Sequence, residues 1–141
     1  MTTSINETAD GTAPDVPDVR AAFAGKCILL TGSTGFVAKV LLEKLIRTVP
    51  DLGRIVLLVR AGGHGDARAR FEREIAPSTV FDDLRAFRPA RLARFLAERV
   101  ECVTGEITAP GFGLPPARFE ALARTVDVVV NAAASVDFRE P

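Results

Sequence analysis

No apolar run in this sequence approaches the roughly 20 residues that a membrane-spanning helix needs. Met1 to Asp18 are polar and acidic and lack an apolar h-region, which excludes a secretory signal and predicts a disordered leader over residues 1–18. Only two cysteines occur, too few for a disulfide scaffold, and they suggest a reducing, cytoplasmic setting. One histidine and two cysteines form no metal-ligand cluster. There is no excess of charge: 18 Lys and Arg balance 18 Asp and Glu, so nothing electrostatic argues for a nucleic-acid partner. Internal repeats and low-complexity segments are also lacking. What remains is a chain of 141 residues, 48% hydrophobic and 26% charged, enough for one modest domain with its own core over residues 19–141.

Apolar periodicity organises that domain. Val19 to Gly25 reads as a short lead-in. Lys26 to Leu30 is an apolar run too short for a helix, so it predicts a strand buried on both faces. After the turn Thr31 to Gly35, Phe36 to Val49 predicts a helix. Lys39, Glu43 and Arg47 form its polar stripe, with Glu43 and Arg47 in the favourable order for an ion pair. The other faces are nearly all apolar, which predicts a well-buried helix. Arg54 to Val59 predicts a second buried strand. Asp66 is placed to cap a helix reaching Ala76, and further helical pieces are expected over 78–87 and 89–99. Val100 to Thr104 predicts a third strand, Leu114 to Arg124 a helix, and Val126 to Asn131 a fourth strand, expected to be inner in an intact sheet and an exposed apolar edge in this chain. Continuous apolar strands alternating with helices imply an α/β fold: a Rossmann-type, doubly wound parallel sheet in the order 3-2-1-4, with a helical insertion between strands 2 and 3.

The turn between strand and helix carries the chemistry. Gly32 and Gly35, with Ala38, give G-x-x-G-x-x-A at a helix N-terminus. A dinucleotide pyrophosphate needs close backbone approach, free N–H donors and the positive end of a helix dipole. Alanine suffices at the third position, where only close helix–strand packing is required. No G-K-[ST] follows, so the phosphate loop of nucleoside triphosphatases is excluded. Strand 2 ends in Arg60, where a site specific for NAD carries an acidic residue for the ribose 2′-hydroxyl. Asp51 lies before that strand, at the wrong end of the sheet. An arginine at the right end pairs instead with a 2′-phosphate, so NADPH is the expected cofactor. His64, in the glycine loop after Arg60, either reaches the same phosphate or is simply solvated. Cys27 and Cys102 fall on strands 1 and 3, roughly 9–10 Å apart in this order, beyond disulfide reach, and read as small buried apolar residues.

The run from Thr31 to Leu45 (TGSTGFVAKVLLEKL) resembles the nucleotide turn of fatty acyl-CoA reductases, which are extended short-chain dehydrogenase/reductases. Ile55 to Arg60 (IVLLVR) is similar to their second strand, and Val103 to Ile107 with Phe112-Gly113-Leu114 to their G-D-I…L-G-L segment. Val130 to Phe138 resembles their H-x-A-A-x-V-x-F segment, and the resemblance extends from about Phe23 to Pro141. It departs at two positions: Glu106 stands where an adenine-contacting Asp is usual, and Asn131 where His is more usual.

Together the turn and the resemblance imply cofactor contacts from Thr31, Gly32, Ser33, Thr34, Gly35, Phe36, Val37, Arg60, Glu106, Ile107, Ala132 and Ala133. The resemblance implies NADPH-dependent reduction of a fatty acyl-CoA to an aldehyde or alcohol, using a Tyr-x-x-x-Lys pair. The chain has no tyrosine, so no catalytic residue is assigned, and it is expected to be an N-terminal part that is inactive alone. Two alternatives stand beside this. One is a thioester reductase acting on carrier-bound acyl chains; the other is a non-catalytic NADP-binding module.

Overall fold

In the computed structural model, residues 18–61 and 66–134 are described. Four parallel strands form one sheet: β1 (Cys27–Thr31), β2 (Arg54–Val59), β3 (Val100–Thr104) and β4 (Val128–Asn131). Their order is β3-β2-β1-β4, as the alternation of apolar runs implies. Residues 1–17 of the expected leader lie outside the described residues. Asp18, counted with that leader, instead caps α1 (Val19–Phe23), its carboxylate accepting from the amides of Arg20 and Ala21.

Each face of the sheet packs its own core. On one face Ile28, Leu30, Ile55 and Leu57 meet α2 (Phe36–Thr48) and the insertion between β2 and β3. On the other, Cys27, Leu29, Val56, Leu58 and Val103 meet Leu122 of α6 (Pro116–Thr125). β1 and β2 are buried almost throughout, because both faces are covered.

The insertion begins as expected and then differs. Asp66 caps α3 (Ala67–Arg70) through Ala69 N–H at 2.9 Å. The helix does not continue regularly to Ala76 but widens into a π turn over Phe71–Ile75, closed by Ala76 N–H to Phe71 O at 2.8 Å. The turn carries Phe71 and Ile75, and both sink fully into the core. A 3₁₀ turn (Thr79–Phe81), α4 (Asp82–Phe87) and α5 (Pro89–Glu98) complete the insertion.

Further expectations are corrected by packing. α2 buries Ala38, Leu42, Leu45 and Ile46 but leaves Phe36, Val37 and Val40 exposed, so it is apolar on its outer face too. Glu43, on the expected polar stripe, is itself buried and held by Arg47 at 2.9 Å. β4 is shorter than the valine run: Asp127 lies just before it, its N–H donating to Cys27 O at 2.9 Å and its carboxylate accepting from Cys27 N–H at 2.8 Å. Among the described residues β4 is an edge strand, buried on neither face, with Val129 60% exposed. Both cysteines are free; Cys27 is buried, whereas Cys102 is only half-buried.

Candidate functional site

The C-terminal ends of parallel strands, flanked by helix N-termini, form the crevice where ligands bind in open α/β sheets. Here β1 ends at Thr31 and feeds the turn Gly32-Ser33-Thr34-Gly35 into α2. Gly35 N–H donates to Gly32 O at 2.8 Å, which closes the turn. The turn requires its two glycines unequally. Gly32 has φ +67°, and a Cβ there would lie 2.5 Å from Ala132 C and Ala133 N. Gly35 has φ −74°, open to any residue, and a Cβ would meet only Gly32 O at 3.1 Å.

Asn131 ties the end of β4 to this turn. Its Oδ1 accepts from Thr31 Oγ1 at 2.5 Å and from Ala133 N–H at 3.1 Å. That bracket brings the Ala132–Ala133 backbone against Gly32. The sequence marks Asn131 only as a departure from a more usual histidine; its bracing role follows from the β1–β4 register, Thr31 beside Asn131.

β2 and β3 place the opposite wall. Val59 pairs with Thr104, so the residues that follow, Arg60 and Gly105-Glu106, leave the sheet side by side. Arg60 Nε lies 3.5 Å from Glu106 Oε2, with the arginine side chain 73% exposed. Ala67 N–H donates to Thr104 Oγ1 at 3.0 Å and Arg70 Nη1 to Arg60 O at 3.0 Å, which docks α3 on the same rim. Arg70 is engaged further with Glu74 at 2.9 Å. Arg70 and Arg73 hold the Glu74 carboxyl below its ordinary range.

These elements enclose a cavity of about 90 Å³ lined by Thr31, Gly32, Ser33, Thr34, Arg60, Arg70, Glu106, Ile107 and Ala133, among others. Eight of the twelve expected contact residues thus meet in one place. Gly35, Phe36, Val37 and Ala132 do not line it: Phe36 and Val37 stand exposed on the first turn of α2, and Ala132 backs Gly32. The cavity adds Leu58, Val59, Arg70 and Gly105, which the sequence reading missed. Arg70 carries no signal separating it from Arg68 or Arg73; only the docking of α3 selects it. His64 lies outside the described residues.

The residues present fit a dinucleotide. Ser33 Oγ is buried and lacks a hydrogen-bond partner among the described residues, although it lines the cavity. A buried hydroxyl left unpaired costs free energy, and a phosphate oxygen is the partner such a turn receives. The N-terminus of α2 has no side-chain cap, so its first-turn N–H groups are free to donate. At about 90 Å³ the cavity is below the 300–1,000 Å³ of a whole-ligand pocket, so it accommodates only part of such a molecule.

A larger hollow of about 480 Å³ lies at the other end of the sheet, lined by Pro50, Asp51, Arg91, Phe95 and Arg99. Two of its arginines are committed to the scaffold: Arg91 donates to Ile46 O at 2.8 Å, and Arg99 to the carbonyls of Leu52 and Gly53. Among the described residues no helix is long and apolar enough to cross a membrane, and no cluster of three or more potential metal ligands occurs.

Known proteins are similar to this chain. The chain is 39% identical over 116 residues to fatty acyl-CoA reductase 2, chloroplastic, of Arabidopsis thaliana, covering 82% of this chain and 19% of that one. It is 36% identical to the alcohol-forming fatty acyl-CoA reductase of Simmondsia chinensis, covering 82% and 24%. The crystal structure of the reductase domain of a non-ribosomal peptide synthetase from Mycobacterium tuberculosis superposes with a TM-score of 0.60 at 34% identity, covering 80% of this chain and 26% of that one. The chain therefore spans a fifth to a quarter of the curated relatives it matches. A profile of the male sterility protein family matches residues 30–141, running from the end of β1 through the glycine turn and the rest of the sheet. With its parallel 3-2-1-4 sheet and nucleotide turn, the chain belongs to that family of Rossmann-type, NAD(P)-binding oxidoreductase domains.

Proposed function

We propose that the chain binds NADPH and forms the cofactor-binding part, over residues 19–141, of a reductase that converts a fatty acyl-CoA to an aldehyde or alcohol. Arg60 carries the choice of cofactor. It stands at the C-terminal end of β2, 73% exposed, on the wall facing the glycine turn, where no acidic residue of β2 competes for a ribose hydroxyl. The bound nicotinamide supplies the hydride. Thr31 to Gly35 and the N-terminus of α2 take the pyrophosphate, with Phe36 and Val37 on the first turn. Arg60 takes the 2′-phosphate; Glu106 and Ile107 flank the adenosine; Ala132 and Ala133 close the turn. The absence of tyrosine leaves the proton donor implied by the resemblance outside this sequence.

A charge-assisted hydrogen bond to phosphate contributes about 1.5–3 kcal/mol, a tenfold or larger preference. Calorimetric titration of NADPH and NADH into the chain and into Arg60→Ala tests this: the preference should be present in the first and lost in the second. Equal affinities in the parent chain refute it. The chain alone should show no acyl-CoA-dependent oxidation of NADPH.

The identity of 34% to a peptide synthetase's reductase domain supports a second reading, reduction of a carrier-bound acyl thioester. Comparing acyl-CoA with acyl-carrier substrates in the full-length protein separates the two. The cytoplasm is the proposed compartment, on the grounds of cysteine usage alone.

A further inference from the structure

The C-terminal ends of β2 and β3 set one cation and one anion against each other. Arg60 Nε and Glu106 Oε2 are 3.5 Å apart, and both side chains line the cavity that faces the glycine turn. The backbones under them are fixed. Arg60 O accepts from Arg70, and Glu106 N–H donates to Phe112 O at 2.9 Å. The charged ends are not. Besides Arg60, the Glu106 carboxylate has a contact with Thr108 N–H at 3.5 Å, the limit of a hydrogen bond. Arg70, the other cation lining the cavity among the described residues, is committed to Glu74 and to the Arg60 carbonyl. The charge balance of the rim at this point thus rests on Arg60 and Glu106.

We infer that Glu106 is a specificity-determining residue that works against Arg60, so that the pair together sets how strongly the site prefers a 2′-phosphorylated dinucleotide over its 2′-hydroxyl counterpart. This rests on the nicotinamide reading above. A ribose 2′-phosphate carries close to two negative charges and three acceptor oxygens. A phosphate that pairs with Arg60 either shares the guanidinium with the Glu106 carboxylate or releases it, and in both cases that carboxylate remains beside it as a like charge. A ribose 2′-hydroxyl carries no charge, so the Glu106 carboxylate does not repel it. Glu106 therefore weakens NADPH and favours NADH, by the same charge that makes it Arg60's partner. Both groups are part-exposed, so each effect is modest.

The test is titration of NADPH and NADH into the intact chain, Glu106→Gln, Arg60→Ala and the double variant. The ratio of the two affinities is the readout, and thermal unfolding checks that each variant is folded. Glutamine keeps the size and the acceptor oxygen but removes the charge. Glu106→Gln should raise the NADPH:NADH affinity ratio roughly two- to fivefold, and in the Arg60→Ala background the rise should shrink, because Arg60 is no longer there to be shared or released. An unchanged ratio in Glu106→Gln overturns the inference. So does an equal loss of both cofactors, which would mean that Glu106 contacts the part they share. If the parent chain binds neither cofactor, it is the nicotinamide reading itself that fails.

Discussion

Replacing Gly32 with alanine separates backbone strain from steric exclusion at the nucleotide turn, because two other glycines act as controls. Gly32 has φ +67°, and a Cβ would sit 2.5 Å from the backbone of Ala132 and Ala133. Gly25 has φ +70° but nothing within 4 Å of a Cβ, so it reports strain alone. Gly35 has ordinary φ and one contact at 3.1 Å, so it reports a mild clash alone. A non-glycine residue in the left-handed region costs about 1–2 kcal/mol. Forcing a methyl into a packed site costs a further 1–3 kcal/mol or so. Gly32→Ala should therefore destabilise by about 2–5 kcal/mol, against about 1–2 for Gly25→Ala and less than about 1 for Gly35→Ala. Since a domain of this size is stable by only about 5–15 kcal/mol, the loss at Gly32 should be plain in urea unfolding. Where the variant still folds, the shifted Ala132–Ala133 backbone should also weaken NADPH binding, while Gly25→Ala binds as the parent does. Equal destabilisation at Gly25 and Gly32 would refute the claim that the end of β4 is seated against the turn.

Other outcomes follow from the same geometry. The Asp127 carboxyl is held below its ordinary value of 3.8, first by the Cys27 N–H and then by Lys26. Its contribution is thus present above the usual carboxylate range and lost as pH falls through its folded value; Asp127→Asn should flatten the acid limb of stability against pH. Burial pushes the Cys102 thiol up from its ordinary value, so it should react with an alkylating reagent at pH 8 more slowly than a free thiol, and at the free rate in urea. Val129 is 60% exposed on the edge strand β4, beside Leu29, Phe119 and Leu122. The chain should self-associate there, and Val129→Lys should lower its light scattering; a monodisperse parent would show that the edge is protected.

The sequence by itself determined the local pieces. β2 falls where its apolar run lies, because a strand buried on both faces reads as continuous apolar residues, and β3 falls at Val100–Thr104 as expected although Glu101 and Cys102 are only half-buried. The glycine turn is legible because its spacing and its place before a helix are properties of adjacent residues. Asp66 and Pro89 mark their helix starts for the same reason. Expectations failed where burial depends on what lies opposite. The outer face of α2 is apolar yet open at Phe36, Val37 and Val40, since no described element packs over it. At the start of β4 the Asp127 carboxylate, and not a backbone carbonyl, takes the N–H of Cys27, a hundred residues away in the chain. The site was legible as single residues and not as contacts. Thr31 with Asn131, and Arg60 with Glu106, meet only because the order β3-β2-β1-β4 aligns the ends of strands that are distant in sequence. Tertiary structure alone decided those pairings: strand register is a long-range choice, and a periodicity of two or 3.6 residues holds no record of which strand lies beside which.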